Sequence, residues 1–161
     1  MEKITIADLS LSSHAEAVVF LLNEYAQDEM GGKHALSKFV TDNLVIELRK
    51  RPGAHLVLAF SEGKPIGLAI CFEGFSTFSC KPLLNIHDVV VLPDYRGRGI
   101  SQKLLSKVEQ VAQSLGCCKL TLEVLEGNAA ARAAYESFGF SGYALGAETG
   151  NAIFLQKPFQ P

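Results

Sequence analysis

The sequence predicts a single α/β domain over residues 1–161, a sheet with helices packed against it, and three observations carry that reading. Segments of helical and strand periodicity alternate along the chain. Val89 to Val91 is apolar at successive positions, as suits a strand in the middle of a sheet. That strand leads through a glycine-rich turn into a helix with one continuous apolar face.

Ile4 and Ile6 alternate in a short first strand, to which Leu9 could belong. Ser12 and Ser13 can cap a first helix running to about Asp28, with Ala15, Val18, Val19, Leu22 and Tyr25 or Ala26 on its stripe, and Gly31-Gly32 breaks it. A second helical pattern covers 35–50 and stops before Pro52-Gly53. Strands follow at 55–60 and 66–72, joined by a Ser-Glu-Gly-Lys hairpin turn in which glycine supplies positive φ. Residues 74–82 read as an aromatic-rich loop or strand end, and 83–92 as a fourth strand ended by Pro93.

The helix at 100–115 is the cleanest in the chain. Ile100, Leu104, Leu105, Val108, Val111, Ala112 and Leu115 share one face, with Lys103, Lys107, Gln110 and Gln113 opposite, and Gly116 closes it. Leu120, Leu122 and Val124 alternate in a fifth strand. Asn128 caps a last helix through Phe138, and two strands near 142–145 and 152–156 are expected to finish the fold.

The formal charge of -2 gives no basis for a broad nucleic-acid surface. No apolar run approaches the roughly 20 residues that span a bilayer. The opening residues lack the regions of a signal peptide, so a cytoplasmic location is expected. Cys71, Cys80, Cys117 and Cys118 form no C-x-x-C pair and no metal-like spacing with His14, His34, His55 or His87. Ordinary reduced thiols and no metal follow as expectations.

The segment Arg96-Gly-Arg-Gly-Ile-Ser101 combines several features that suit an anion. It opens a helix, whose first N–H groups have no internal partner and whose dipole favours negative charge. Gly97 and Gly99 allow close backbone approach to a pyrophosphate, and Arg96 and Arg98 add positive charge. It is neither a Walker loop nor a G-x-G-x-x-G turn, and taken alone it could be a connecting turn.

Its surroundings narrow the reading. Val89-Val-Val-Leu-Pro-Asp-Tyr-Arg-Gly-Arg-Gly-Ile-Ser-Gln-Lys-Leu-Leu105 closely resembles the acetyl-CoA signature of the GNAT acetyltransferases, with its R/Q-x-x-G-x-G/A core. Arg96 takes the first position and Gly99 the fourth, whereas Ser101 stands where the family usually has Gly or Ala. Asn128-Ala-Ala-Ala-Arg-Ala-Ala-Tyr-Glu-Ser-Phe-Gly-Phe140 is similar to a second family segment, N-x-x-A-x-x-x-Y-x-x-x-G-F.

The resemblance implies a GNAT fold: a mixed, mostly antiparallel sheet of about 6–7 strands, flanked by about 4 helices, with the fourth and fifth strands splayed apart. Acetyl-CoA is the implied co-substrate. Its pantetheine arm would pair with the backbone of Val89, Val90 and Val91, and its pyrophosphate with N–H groups from Gly97 through Arg98, Gly99, Ile100 and Ser101 to Gln102. Asn128 and Ala131 would meet the coenzyme from the last helix, although Asn128 is equally compatible with a helix cap alone.

The implied reaction is N-acetylation of a primary amine by direct attack in a ternary complex. An alkyl amine with a pKa of about 10 must lose a proton, the oxyanion needs a donor, and the departing thiolate needs a proton. Tyr135 matches the family's general acid; the competing role is a packing aromatic. His87-Asp88 stands where many relatives have Glu-Asp. Neighbouring strand residues face opposite ways, so one of the two should reach the amine unless a bulge intervenes. His87, acting through water, is the first choice as base, and Asp88 the alternative base or ammonium holder.

The layout most resembles small diamine and polyamine acetyltransferases. Asp28, Glu29 and Glu73 could attract a cationic amine, with Phe75 and Phe78 as apolar walls or cation–π faces. A solvated helix end and core aromatics are the competing description of these residues. The alternatives to a small-molecule enzyme are a GNAT-fold acyl-CoA-binding or regulatory module without catalysis, suggested by Ser101 and the absent glutamate, and a protein or peptide N-acetyltransferase. A homodimer is implied only by the resemblance.

Overall fold

The computed structural model describes residues 2–159, and the chain in it forms two compact units, one running to Leu122 and the other from Glu123 onward. The first unit holds β1 (Glu2–Ile6), α1 (Ser12–Gln27), α2 (Lys38–Arg49), β2 (Ala54–Ser61), β3 (Lys64–Ser76), β4 (Lys81–Val91), α3 (Ile100–Ser114) and β5 (Leu120–Leu122). The five strands form one sheet in sequence order, β1 to β4 antiparallel and β5 parallel to β4.

Strand alternation sorts the first unit into two cores. Leu56, Leu58, Leu68, Ile70 and Val90 pack with Ala17, Val18 and Leu21 of α1 and Leu48 of α2. The intervening positions Val57, Ala59, Gly67 and Ala69 face the other way, where a side chain on Gly67 would press on Leu104 and Ile100 of α3. All six fully covered α3 residues, Ile100, Leu104, Leu105, Val108, Val111 and Ala112, belong to its predicted apolar stripe. Each of the Ile, Leu and Val side chains among them contributes roughly 1.5–3 kcal/mol of transfer free energy.

Helix ends follow local chemistry with one exception. Ser37 caps α2 by accepting from the Val40 N–H. Gly116, at φ 71°, ends α3 while Cys117 N–H reaches the Ala112 carbonyl and Gly116 N–H the Gln113 carbonyl. Neither Ser12 nor Ser13 caps α1, because both lie inside its first turn; Leu11 holds the cap position without a side-chain bond. The aromatic segment is largely a strand end: β3 continues to Ser76 and pairs back with β4 from Lys81.

The second unit carries α4 (Ala129–Phe138), capped by the Asn128 side chain on the Ala131 N–H at 3.2 Å and ended by Gly139 at φ 106°. The two closing strands expected near 142–145 and 152–156 are not formed. Among the described residues that region has one isolated bridge, Ala144 to Asn151, beside a turn closed by Thr149 N–H on the Gly146 carbonyl. The apolar residues there have no ladder to join, so the sheet has five strands rather than the expected six or seven.

Candidate active site

The site is built on the second half of β4. Pairing with β5 covers Leu84, Asn85 and Ile86 and then stops, so from His87 to Val91 the strand has a ladder on the β3 side only. Asn85 closes the junction, its Nδ2 donating to Thr121 Oγ1 at 3.0 Å. This is the splay that the resemblance implied. A backbone edge of this kind keeps donors and acceptors for an extended, amide-bearing chain.

A bulge lies where the pairing ends. Ile70 faces Asp88 and Cys71 faces Ile86, which leaves His87 as the extra residue on β4. Ile86 is buried toward α3, while Asp88 lies on the side of α1 and α2. The His87 ring meets Phe72 edge-on at 5.6 Å, and Phe72 packs against the α1–α2 core. His87 and Asp88 therefore share one face. Regular pleating would have separated them.

Electrostatics mark the same place. Burial raises the Asp88 carboxyl above its ordinary value, with the His87 charge opposing that rise. Tyr25, on the inner face of α1, has its phenol raised first by burial and then by the charges of Asp88 and Asp28. The buried Cys71 thiol is pushed up to about 12, mainly by desolvation, which makes it an inert core residue. Tyr25 was legible in the sequence only as one member of an apolar stripe; its hydroxyl, on the same helix end as Asp28, was the available signal.

After β4, a short 3-10 turn at Pro93–Tyr95 leads to the glycine loop. Gly97 and Gly99 have φ of 73° and 75°, which a residue with a Cβ adopts only under strain. A Cβ at either would meet nothing within 4 Å, so conformation and not crowding requires glycine there, and the space beside the loop is open. The Lys103 N–H takes the Gly99 carbonyl, which leaves the N–H groups of Ile100 and Ser101 ahead of the first helical hydrogen bond. Successive N–H groups in such a turn, at a helix start, fit a phosphate. The side chains of Ile100 and Val90 are core, so either residue can present only main chain to a ligand.

The arginines diverge. Arg96 donates from Nε to the Val91 carbonyl at 3.0 Å and from Nη2 to Asp28 Oδ2 at 2.6 Å. Arg98 lies over the Tyr95 ring at 5.2 Å. Asp28 is thereby engaged, and the Arg96 contact holds its carboxyl below the usual range.

The acids and aromatics assigned to an acceptor do not converge. Glu29 is exposed on a turn and pairs with Lys33 at 3.4 Å. Glu73 shares the α3-side face with its cross-strand partner Leu84, and binds His55 Nε2 at 2.6 Å. Alternation puts Phe75 on that same face, opposite to His87 and Asp88, and Phe78 is 98% exposed in the β3–β4 turn. Glu73 and Phe75 are thus set apart from the His87–Asp88 face by the register of β3, while Phe78 lies beyond the strand in the turn.

In the second unit Tyr135 is half-buried on α4, its ring edge-on to Phe140 at 5.9 Å. The Asn128 side chain is occupied as a helix cap, and Ala131 supplies the N–H that it accepts.

No helix among the described residues is long and apolar enough to cross a membrane, and no group of three or more His, Cys, Asp or Glu residues among them could hold a metal ion.

Comparison with known proteins agrees with this geometry. A thialysine N-epsilon-acetyltransferase of Bos taurus is 35% identical over 74 residues, 46% of this chain and 43% of that protein. Its counterpart in Caenorhabditis elegans is 26% identical over 130 residues, 79% of this chain and 77% of that protein. The chain spans about half the length of the mammalian relatives it matches. An aminoglycoside N-acetyltransferase solved in complex with CoA superposes with a TM-score of 0.73 at 19% identity, over 98% of this chain and 95% of that one. The model of the acetyltransferase (GNAT) family matches residues 18–140, and the chain belongs to that family.

Proposed function

We propose that the chain is an acetyl-CoA-dependent N-acetyltransferase acting on a primary amine of a small molecule by direct attack. The observation that carries this reading is the one-sided stretch of β4, with the His87–Asp88 bulge at one end and the glycine loop beyond the other. Acetyl-CoA supplies the acetyl group as a thioester. The main chain of Val89 to Val91 would hold its amide arm, and the N–H groups at the start of α3 its pyrophosphate.

His87 takes a proton from the incoming ammonium, through water, and Asp88 beside it holds the ammonium and steadies the imidazolium. Tyr135 Oη donates a proton to the departing thiolate; this role rests on the Asn128–Phe140 motif. A small-molecule acceptor is supported by the names of two similar proteins, a thialysine N-epsilon-acetyltransferase and an aminoglycoside N-acetyltransferase. Glu29 remains a candidate for attracting the acceptor; Glu73 and Phe75 recede because of their face, and Phe78 because of its exposed place in the turn. A cytoplasmic homodimer is the matching expectation for the protein's state.

Thiol release from acetyl-CoA, followed against lysine and thialysine, diamines, polyamines, aminoglycosides and short peptides, tests the proposal. Saturable release with one small-amine class is expected, and Tyr135→Phe should lower it several-fold while sparing CoA affinity. Release with peptides alone would replace the small-molecule reading. No release from any acceptor, with CoA still bound, would favour the non-catalytic module to which Ser101 and the missing glutamate point.

A further inference from the structure

The first arginine of the glycine loop is turned toward protein. Arg96 Nε donates to the Val91 carbonyl at the end of β4, and Nη2 donates to Asp28 at the end of α1. Asp28 is itself braced: its Oδ1 accepts the Met30 N–H at 3.2 Å, its N–H reaches the Tyr25 carbonyl at 3.0 Å, and its own carbonyl accepts from Gly31 and Lys33. Around it, the Ala26 carbonyl accepts the His34 N–H and the Asn23 side chain accepts the Leu36 N–H at 2.9 Å. A Cβ on Gly31 would lie 1.8 Å from the Tyr25 carbonyl oxygen, so this turn is wrapped directly onto the helix end. Asp28 is a fixed post.

The loop that follows Arg96 needs such a post. Two glycines in three residues, both at positive φ, give a segment with a large conformational entropy to lose when it closes on a ligand. A guanidinium clamped at two points fixes the entry to that segment in advance, which reduces the ordering cost of binding. The Asp28 side chain is only 20% exposed, so water competes weakly at its end of the pair.

We propose that Asp28 is a positioning residue for the coenzyme: acting through Arg96, it pre-organises the phosphate-binding loop, and it does not bind the acceptor amine. The inference rests on the acetyl-CoA reading given above. Asp28→Asn keeps the shape and the acceptor for the Met30 N–H while removing the charge, so the fold should persist, which a melting curve checks.

Calorimetric titration with CoA, together with the KM of each substrate, tests it. CoA affinity should fall roughly fivefold in Asp28→Asn, the scale of one partly exposed charged pair. The KM for acetyl-CoA should rise in parallel, with the KM for the amine unchanged. Asp28→Asn in an Arg96→Gln background should then cost little more, because the two act as one link. A raised amine KM with unchanged CoA affinity would make Asp28 an acceptor ligand and overturn the inference. So would an undiminished CoA affinity in Asp28→Asn, whatever Arg96→Gln does. Failure of the native chain to bind CoA at all would instead remove the functional reading beneath it.

Discussion

The two halves of β4 differ in one respect, and their roles divide along it. From Lys81 to Ile86 the strand lies against β3, and its last three residues there also pair with β5. Leu84 and Ile86 are buried in that half, with relative exposures of 0% and 3%. From His87 to Val91 the β5 side is absent, the bulge has turned His87 and Asp88 to one face, and a titratable pair occupies it. A ladder on both sides satisfies the backbone and leaves side chains to pack. A ladder on one side leaves main-chain groups to recruit a ligand. The first half is built for packing, and the second half is where the proposed chemistry would lie.

The comparison is broken most directly at the bulge. His87→Ala and Asp88→Asn should each reduce kcat/KM by roughly 10²-fold, the scale of positioned acid–base groups. The double variant should be little worse than the poorer single, because the two residues act together. Additive losses in steady-state kinetics would mean separate roles.

Asp88→Asn also separates activity from stability. The folded carboxyl titrates above its ordinary 3.8, chiefly through desolvation, so the native state binds its proton more tightly than the unfolded chain does. The native protein therefore gains stability as pH falls from the raised value toward 3.8, and is disfavoured once Asp88 ionises. Asp88→Asn should melt higher than the native chain at neutral pH, with the gap closing on acidification. A variant that melts lower at neutral pH would reverse the assignment.

Leu84→Ala tests the other half. Truncating this fully buried side chain should cost roughly 2–5 kcal/mol in chemical denaturation, while CoA affinity in the remaining folded protein stays the same. The smallest effect is expected at the junction. Asn85→Ala removes the bond to Thr121 and should cost about 1 kcal/mol. A large loss of CoA affinity in either variant would show that the halves are not independent.

Much of this architecture is legible residue by residue. The α3 stripe, the glycines at 97, 99, 116 and 139, and the Asn128 cap express local rules of periodicity, positive φ and capping that hold wherever the segment sits. The glycine loop could be recognised for the same reason. Other features depend on a partner. Residues 142–145 and 152–156 are rich in apolar residues but have no ladder, and the bulge at His87 exists only because the β3–β4 register slips between Ile70 and Cys71. Register decides faces, and it set Glu73 and Phe75 away from the site.

The sequence by itself determined the family, the order of the main elements, the glycine turn before α3 and the chemical types available to a reaction, because each is written in residues close together along the chain. Only the tertiary structure decided which of those residues meet. It joined Asp28 to Arg96 across 68 positions, brought Tyr25 within the field of Asp88, and put His87 and Asp88 on one face. Such meetings depend on strand register and helix packing, which are settled by the whole core and not by any local segment.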